Sequence, residues 1–361
     1  MPYPEIHGQK NAKILLTRCF VTRKLAPAWL FTGPSGVQKN DMARAFIKTL
    51  LCQTPKLPDS PETQYCGTCA SCRLWASSDE HPDFLHLKPT GKLRQIKIKK
   101  KGDDENILLR FVALKSYLGC GKAVLIQEAE RLPSFAANAL LKTLEEPPPD
   151  TYFFLTCRNP TALLPTIVSR CQLLEFFPLP EEVMRDALKT QKKSPADPEL
   201  AIRLSRGRVG LLKDDAFQEL LVEREKVLSV FKDWLERGKL ALMEGASSIL
   251  SELEAEQKRL KQEEEEEAEE SEAEGAGWIK QKLDSLLHLL AEIFRDLVLL
   301  QNRGSAEGLI HADQRPLLEN LAGRIFQIDH RMKDLDDMRK RLQGTVNAKL
   351  ALPVLFLKLF P

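Results

Sequence analysis

Four cysteines offer the first chemistry. Cys52, Cys66, Cys69 and Cys72 follow the spacing C-x13-C-x2-C-x2-C. Four thiolates close a tetrahedral shell of the kind structural zinc requires. Iron–sulfur proteins also use C-x2-C-x2-C, but the fourth ligand of the bacterial run lies downstream and is followed by proline. Here it lies upstream. Zinc is the expected ion, with an iron–sulfur cluster or no metal as alternatives. The polar, proline-rich excursion from Thr54 to Pro61 needs an anchor of this kind. His81 and His86 follow, but four thiolates already fill a zinc shell, so both are expected to be packing or surface histidines. Cys19, Cys120, Cys157 and Cys171 are scattered and read as small core residues.

The second chemistry is a damaged phosphate loop. Gly33-Pro34-Ser35-Gly36-Val37-Gln38-Lys39-Asn40 has the outline G-x-x-x-x-G-K-[ST]. In such loops backbone N–H groups cradle phosphates, the lysine reaches the outer phosphates and the hydroxyl binds Mg²⁺. Gly33 and Lys39 stand in their places, and Gly36 lies between them. Gln38 replaces the second glycine, and Asn40 replaces the hydroxyl residue. A glycine turn without a ligand is the competing reading. Further on, Ala123-Val124-Leu125-Ile126 reads as a buried strand. Nucleoside triphosphatases end such a strand in an aspartate that supports the Mg²⁺ shell. Gln127 takes that position, and Glu128 remains where the water-activating base would be.

The elements that must position these residues can be read from pattern. Ala28–Thr32 is a short apolar strand before the loop. Residues 5–20 form a helix with Ile14, Leu15 and Cys19 on one face, and Asp41 to Leu51 form the helix after the loop. Ile107 to Leu118 is an amphipathic helix. Asn138 to Pro148 is a helix closed by prolines. Tyr152–Cys157 is a second buried strand, and Leu173 to Phe177 ends the sheet-forming part. Six basic residues (Lys92, Arg94, Lys97, Lys99, Lys100 and Lys101) carry no aromatic among them and read as a solvated loop rather than a nucleic-acid contact.

At 361 residues the chain is long enough for two or three domains. A net charge of +2 gives no global bias toward nucleic acid or membrane. The N-terminal residues lack a basic and apolar signal pattern. No apolar run approaches the ~18 residues that span a bilayer. These features predict a cytoplasmic protein, in which eight cysteines are not a disulfide framework.

The Leu140-Leu141-Lys142-Thr143-Leu144-Glu145-Glu146-Pro147-Pro148 segment, Ser169-Arg170-Cys171 and the cysteine insertion after the loop helix occur together. In this the chain resembles the bacterial clamp-loader subunits of DNA polymerase III, in the AAA+ superfamily. The resemblance covers residues 1 to about 215 well and the remainder by helical character. It implies an α/β AAA+ P-loop-type domain at 1–178, with its zinc module at about 52–72. A small helical lid at 179–213 and an all-α collar at 214–361 would follow. An acidic insertion at about 252–277 interrupts the collar and is expected as a solvated helix extension or a disordered segment. Trp278 to Leu300, Leu317 to Met338 and Val346 to Leu359 would be collar helices.

The departures at Gln38, Asn40 and Gln127 resemble the delta-prime branch rather than the gamma/tau branch, which keeps an intact loop. The family's second sensor arginine falls at Leu211 in the best register, with Arg206 or Arg208 as substitutes. The resemblance implies that Arg170, with Ser169 and Cys171, serves as an arginine finger on ATP held by a neighbouring subunit. Read alone, Arg170 is a structural arginine in a helix-to-strand turn. The implied partners are gamma/tau- and delta-type subunits in a ring, and through them the sliding clamp and primed DNA. Gly33, Gly36, Lys39, Asn40, Gln127 and Glu128 would form a degenerate nucleotide site that does not hydrolyse ATP. An ATP-hydrolysing gamma/tau-type motor and a stand-alone zinc nucleic-acid module are the alternatives.

Overall fold

The structure, a computed structural model, describes residues 6–56, 65–77, 81–90, 96, 106–190, 195–265, 272–303, 308–342 and 348–360. The six basic residues between Lys92 and Lys101, most of the proline-rich excursion and Glu266-Glu267 of the acidic run lie outside the described residues. The chain divides into two compact units. The first comprises residues 1–194 and 205–212, the second 195–204 and 213–361.

The first unit is built on a five-stranded sheet. Its strands are β1 (Ala28–Thr32), β2 (Phe84–Leu87), β3 (Lys122–Ile126), β4 (Thr151–Cys157) and β5 (Gln172–Glu175), in the order β2-β3-β4-β1-β5. All four pairings are parallel. A parallel sheet is covered on both faces, so its strands read as continuous apolar runs. β1 and β3 are buried at every position. Alternate residues then part to opposite faces. Trp29, Phe31, Leu125 and Phe154 enter one cluster, while Leu30, Val124, Phe153 and Leu155 enter the other.

Helices α1 (Lys10–Val21) and α2 (Lys39–Leu50) supply the first cluster. The predicted face of α1 is corrected. Ala12 and Leu16 are buried, whereas Ile14 is 49% and Leu15 37% exposed. A stripe through Ala12 and Leu16 leaves Ile14 about 160° round the helix. On α2, Met42 and Phe46 are buried as expected. Helices α3 (Ala70–Ser77), α4 (Ile107–Ala113), α5 (Ser134–Glu145), α6 (Pro165–Val168) and α7 (Glu181–Lys189) complete the unit.

Helix α4 stops at Ala113 rather than continuing to Leu118. The buried Lys122 explains this. Its Nζ donates to the carbonyls of Phe111 and Leu114, drawing the end of the helix onto β3. Asn106 caps the other end, its Oδ1 accepting from the N–H of Leu108 at 2.9 Å.

The second unit is helical. Helix α8 (Pro198–Ser205) contributes its first residues, and α9 (Asp214–Arg237), α10 (Lys239–Glu265), α11 (Glu272–Arg303), α12 (Arg315–Arg324), α13 (Ile328–Leu342) and α14 (Ala348–Leu359) follow. One apolar cluster joins Phe231, Leu242, Leu290, Phe294, Leu321 and Phe356. The span predicted from Leu317 to Met338 is two helices. The break falls where Gln327 takes a left-handed φ of 55°. The acidic stretch is helical through Glu265 and again from Glu272. Asp296 is fully buried, and its carboxylate accepts the N–H groups of Ile310 and His311 at 3.0 and 2.8 Å. These bonds tie Ile310 and His311 to α11. Among the described residues no helix is long and apolar enough to cross a membrane.

Candidate functional site

The four cysteines converge. Cys52 follows α2, Cys66 and Cys69 lie in the turn before α3, and Cys72 is in the first turn of that helix. Gly67, at φ +79°, makes the turn between Cys66 and Cys69. All four sulfurs lie within 4.8 Å of one another. The Cys52–Cys69, Cys66–Cys72 and Cys72–Cys52 separations are 3.8, 3.9 and 3.7 Å. Four sulfurs at about 2.3 Å from one ion stand about 3.8 Å apart in a regular tetrahedron. The cradle therefore has the dimensions of a tetrathiolate site, and nearly regular geometry suits zinc.

The surroundings favour thiolate at Cys66 and Cys69. The N–H groups of Thr68 and Cys69 donate to Cys66 Sγ at 3.4 and 3.2 Å. The N–H of Cys66 donates to Cys52 Sγ at 3.2 Å, and that of Cys72 to Cys69 Sγ at 3.4 Å. The Thr54 hydroxyl, followed by the Thr68 and Cys69 N–H groups, holds Cys66 down to about 5. Burial pushes Cys52 and Cys72 up, which a cation among the sulfurs would offset.

His81 is a packing residue. It is 5% exposed and stacks on Trp75 with ring centroids 5.1 Å apart. The Asp83 N–H donates to its Nδ1 at 3.1 Å, so the proton is on Nε2, which then donates to Ser71 Oγ at 3.0 Å. Burial lowers its pKa, against the opposing Asp83 charge. The imidazole thus braces α3 from beneath. Asp83, which sequence reasoning missed, accepts the N–H groups of Tyr117 and Leu118 and anchors the loop after α4.

The second cluster lies at the carboxyl ends of the strands, where ligands bind in open parallel sheets. Gly33 has φ +139°, and a Cβ there would meet the Phe176 carbonyl oxygen at 2.2 Å. Gly36 packs on Gly210, whose N–H donates to the Gly36 carbonyl at 2.8 Å. Close backbone approach thus requires glycine at Gly33 and at Gly210, where a Cβ would meet the Gly36 Cα at 2.9 Å, while Gly36 itself holds a left-handed φ of 83°. Gln38 holds a left-handed φ of 66°, and its Oε1 accepts the His7 N–H at 2.9 Å. That bond stabilises a conformation that costs a non-glycine residue about 1 kcal/mol.

Lys39 is 8% exposed, and its Nζ donates to the carbonyls of Gly33 and Pro34, both at 2.6 Å. Its ammonium is folded onto its own loop. Burial lowers its pKa to about 8, against the pull of Glu130. Asn40 is also engaged. Glu128 N–H donates to Thr156 Oγ1 at 3.1 Å, and Thr156 Oγ1 donates to Asn40 Oδ1 at 2.7 Å. This chain joins the ends of β3 and β4 to α2. The Glu128 carboxylate pairs with Arg131 Nε at 2.5 Å. Gln127 follows β3 directly, and its N–H donates to the Leu87 carbonyl. Of the sensor candidates, Arg208 has its Cβ 3.2 Å from where a Gly36 Cβ would be, and its Nε donates to the Ser205 carbonyl at 2.9 Å.

Arg170 lies elsewhere. Gln172 pairs with Trp29 and Glu175 with Thr32, so β5 begins level with the start of β1. Arg170 stands two residues before β5, at the amino ends of the strands. Gly33 follows the carboxyl end of β1. About four residues of strand, ~13 Å, separate the two levels. Arg170 Nη1 donates to the Thr166 carbonyl at 3.0 Å, and Nη2 meets Glu145 Oε1 at 2.7 Å. Ser169 Oγ also donates to the Thr166 carbonyl, at 3.1 Å. Burial pushes the Cys171 thiol up to about 11.

Comparison with known proteins bears on part of the chain. Residues 8–180 match the family model described as DNA polymerase III, delta subunit. A 155-residue stretch, 43% of this chain, is 40% identical to 44% of the DNA polymerase III subunit delta' of Pseudomonas aeruginosa. Over 228 residues, 62% of this chain, it is 32% identical to 64% of the subunit delta' of Bacillus subtilis. It is also 31% identical over 215 residues, 59% of this chain, to 29% of the subunit tau/gamma of Haemophilus influenzae. The chain spans about half the length of the curated relatives it matches.

Proposed function

We propose, from the premise that this chain is a relative of the bacterial DNA polymerase III delta' subunits, that it acts as a delta'-type subunit of a clamp loader. In this reading its AAA+ domain is residues 1–178, its lid 179–213 and its collar 214–361. The collar joins it to gamma/tau- and delta-type subunits, and the assembly loads a sliding clamp onto primed DNA. The chain's own nucleotide site is degenerate, and Arg170 acts on ATP held by a neighbour.

The observation that carries this reading is that Arg170 and Gly33 lie at opposite ends of β1. A guanidinium at the amino ends of the strands is out of reach of its own loop, but its partly exposed side chain is open to another molecule. Such a group stabilises the charge that develops on a transferred phosphoryl group. Lys39 and Glu128, the remaining support for a motor of the gamma/tau kind, are engaged by loop carbonyls and by Arg131.

Cys52, Cys66, Cys69 and Cys72 would hold zinc as a closed structural site. A bound zinc ion would contribute folding energy and leave no open position for catalysis. The cytoplasm is the compartment that suits free thiols of this number. Titrating the purified chain with ATP and Mg²⁺, then assaying phosphate release, tests the degenerate site. The reading expects no hydrolysis. Turnover by the isolated chain would favour the motor instead.

A further inference from the structure

Outside the sites above, the second unit carries a groove of about 580 Å³ between α9, α10 and α11. Each helix gives it one face. On α9, Asp215, Glu219, Val222 and Lys226 recur at helical spacing. On α10, Ile249, Glu252, Leu253 and Glu256 do so, and on α11 Lys282, Leu286 and Leu289. From Asp215 to Lys226 the lining of α9 runs ~16 Å, about three helical turns.

The floor is apolar and open. Ile249, Leu253 and Leu286 are partly buried against the core of the unit, while Val222 is 57% exposed. The rim is acidic. Asp215, Glu219, Glu223, Glu252 and Glu256 face Lys226 and Lys282, five carboxylates against two ammonium groups, an excess of three negative charges. Both lysines are already paired within the groove, Lys226 with Glu252 at 2.7 Å and Lys282 with Glu223 at 2.9 Å. Burial alone would lower the Lys282 pKa, yet Glu223, Glu256 and Glu219 carry it above its ordinary value. The field in the groove is therefore negative.

The geometry points to this groove as a docking site for a basic amphipathic helix of a partner protein. Apolar side chains spaced i, i+3, i+4 and i+7 would fill the floor, as amphipathic helices do in hydrophobic grooves. Lysines or arginines beside them would meet the excess carboxylates, which steer encounter and set orientation. The same carboxylates repel a phosphate backbone, so nucleic acid does not fit. With a net charge of +2, a second copy of the chain offers no general attraction to the groove. The inference does not depend on the role proposed for Arg170.

The test uses the full chain and a fluorescein-labelled peptide of about five helical turns, with leucines on one face and lysines on its flanks. Anisotropy titration at low salt should show saturable binding, at least ~10-fold weaker when the lysines become glutamates. Val222→Asn, at an exposed position, and the double change Glu219→Lys with Glu256→Lys should each weaken binding by ~10-fold while melting like the parent. A peptide of the same composition with its leucines scattered should lose binding. Equal affinity for the scattered peptide, or unchanged affinity in Val222→Asn, would overturn the proposal. Sedimentation of the same variants reads the other occupant. A parent dimer that Val222→Asn dissolves would assign the groove to self-association and overturn it as well.

Discussion

Glu145 Oε1 lies 2.7 Å from Arg170 Nη2, joining the last residue of α5 to the turn before β5. The two residues, 25 positions apart, come from the Leu-Leu-Lys-Thr-Leu-Glu-Glu-Pro-Pro and Ser-Arg-Cys segments. Their pairing gives those segments a common purpose: one holds the guanidinium of the other. With the Thr166 carbonyl on Nη1, Arg170 is held at two points while remaining 34% exposed.

An exposed pair of this kind contributes only about 0–1 kcal/mol to stability. Glu145→Ala should therefore leave the Tm of the chain within about 2–4 °C of the parent. In a reconstituted complex its effect on ATPase should be smaller than that of Arg170→Ala, because the Thr166 carbonyl still holds Nη1. Thermal melts and steady-state ATPase assays check both statements.

The cysteine cradle predicts one zinc ion per chain. Elemental analysis should find zinc at unit stoichiometry in the parent and lose it in Cys72→Ala. Chelation should lower Tm by roughly 10 °C, since structural zinc is coupled to several kcal/mol of folding and each is worth ~2–4 °C. Iron in the purified protein, or an unaltered melt after chelation, would count against the assignment.

Gly33 predicts a packing effect independent of nucleotide. A methyl group there meets the Phe176 carbonyl oxygen at 2.2 Å, in a backbone conformation that disfavours side chains. Gly33→Ala should cost about 3 kcal/mol or more with no ligand present. Denaturant unfolding of the isolated chain measures it, and a variant as stable as the parent would refute the steric reading.

Lys39 gives a pH dependence with a defined sign. Its folded pKa, about 8, lies below its ordinary value of 10.5. Below pH 8 both states hold the proton, and the cost of burying the charge is fully present. Between about 8 and 10.5 the unfolded chain still binds the proton while the folded chain releases it. Stability contributed at this position therefore rises with pH across that window. The parent should gain on Lys39→Met by up to about 3 kcal/mol between pH 8 and 10.5, as read by unfolding titrations of the two proteins.

Much of this was legible in residue types and spacing. The strand, loop and helix around Gly33 to Asn40 follow from a buried apolar run, glycines and an amphipathic stretch, and the four cysteines announce their convergence by spacing alone. What stayed hidden is non-local. Thr156 reaches Asn40 across 116 positions, and no local pattern marks it. β2 is four residues long and ends in a register set by β3, so Phe84 to Leu87 carry too short an alternation to read. The early end of α4 depends on Lys122, a lysine that sequence patterns assign to solvent. Gly210 meets the loop from 174 positions away, and a Cβ on it would come within 2.9 Å of the Gly36 Cα, so the reason for that glycine lies outside any local pattern.

The central claim is that Arg170 works on a neighbour's ATP. The most direct measurement is DNA-stimulated ATPase of a complex reconstituted from this chain with gamma/tau- and delta-type subunits, comparing the parent with Arg170→Ala. The account predicts that the variant assembles normally and that ATPase falls by at least ~10-fold. Normal assembly with unchanged ATPase would contradict it.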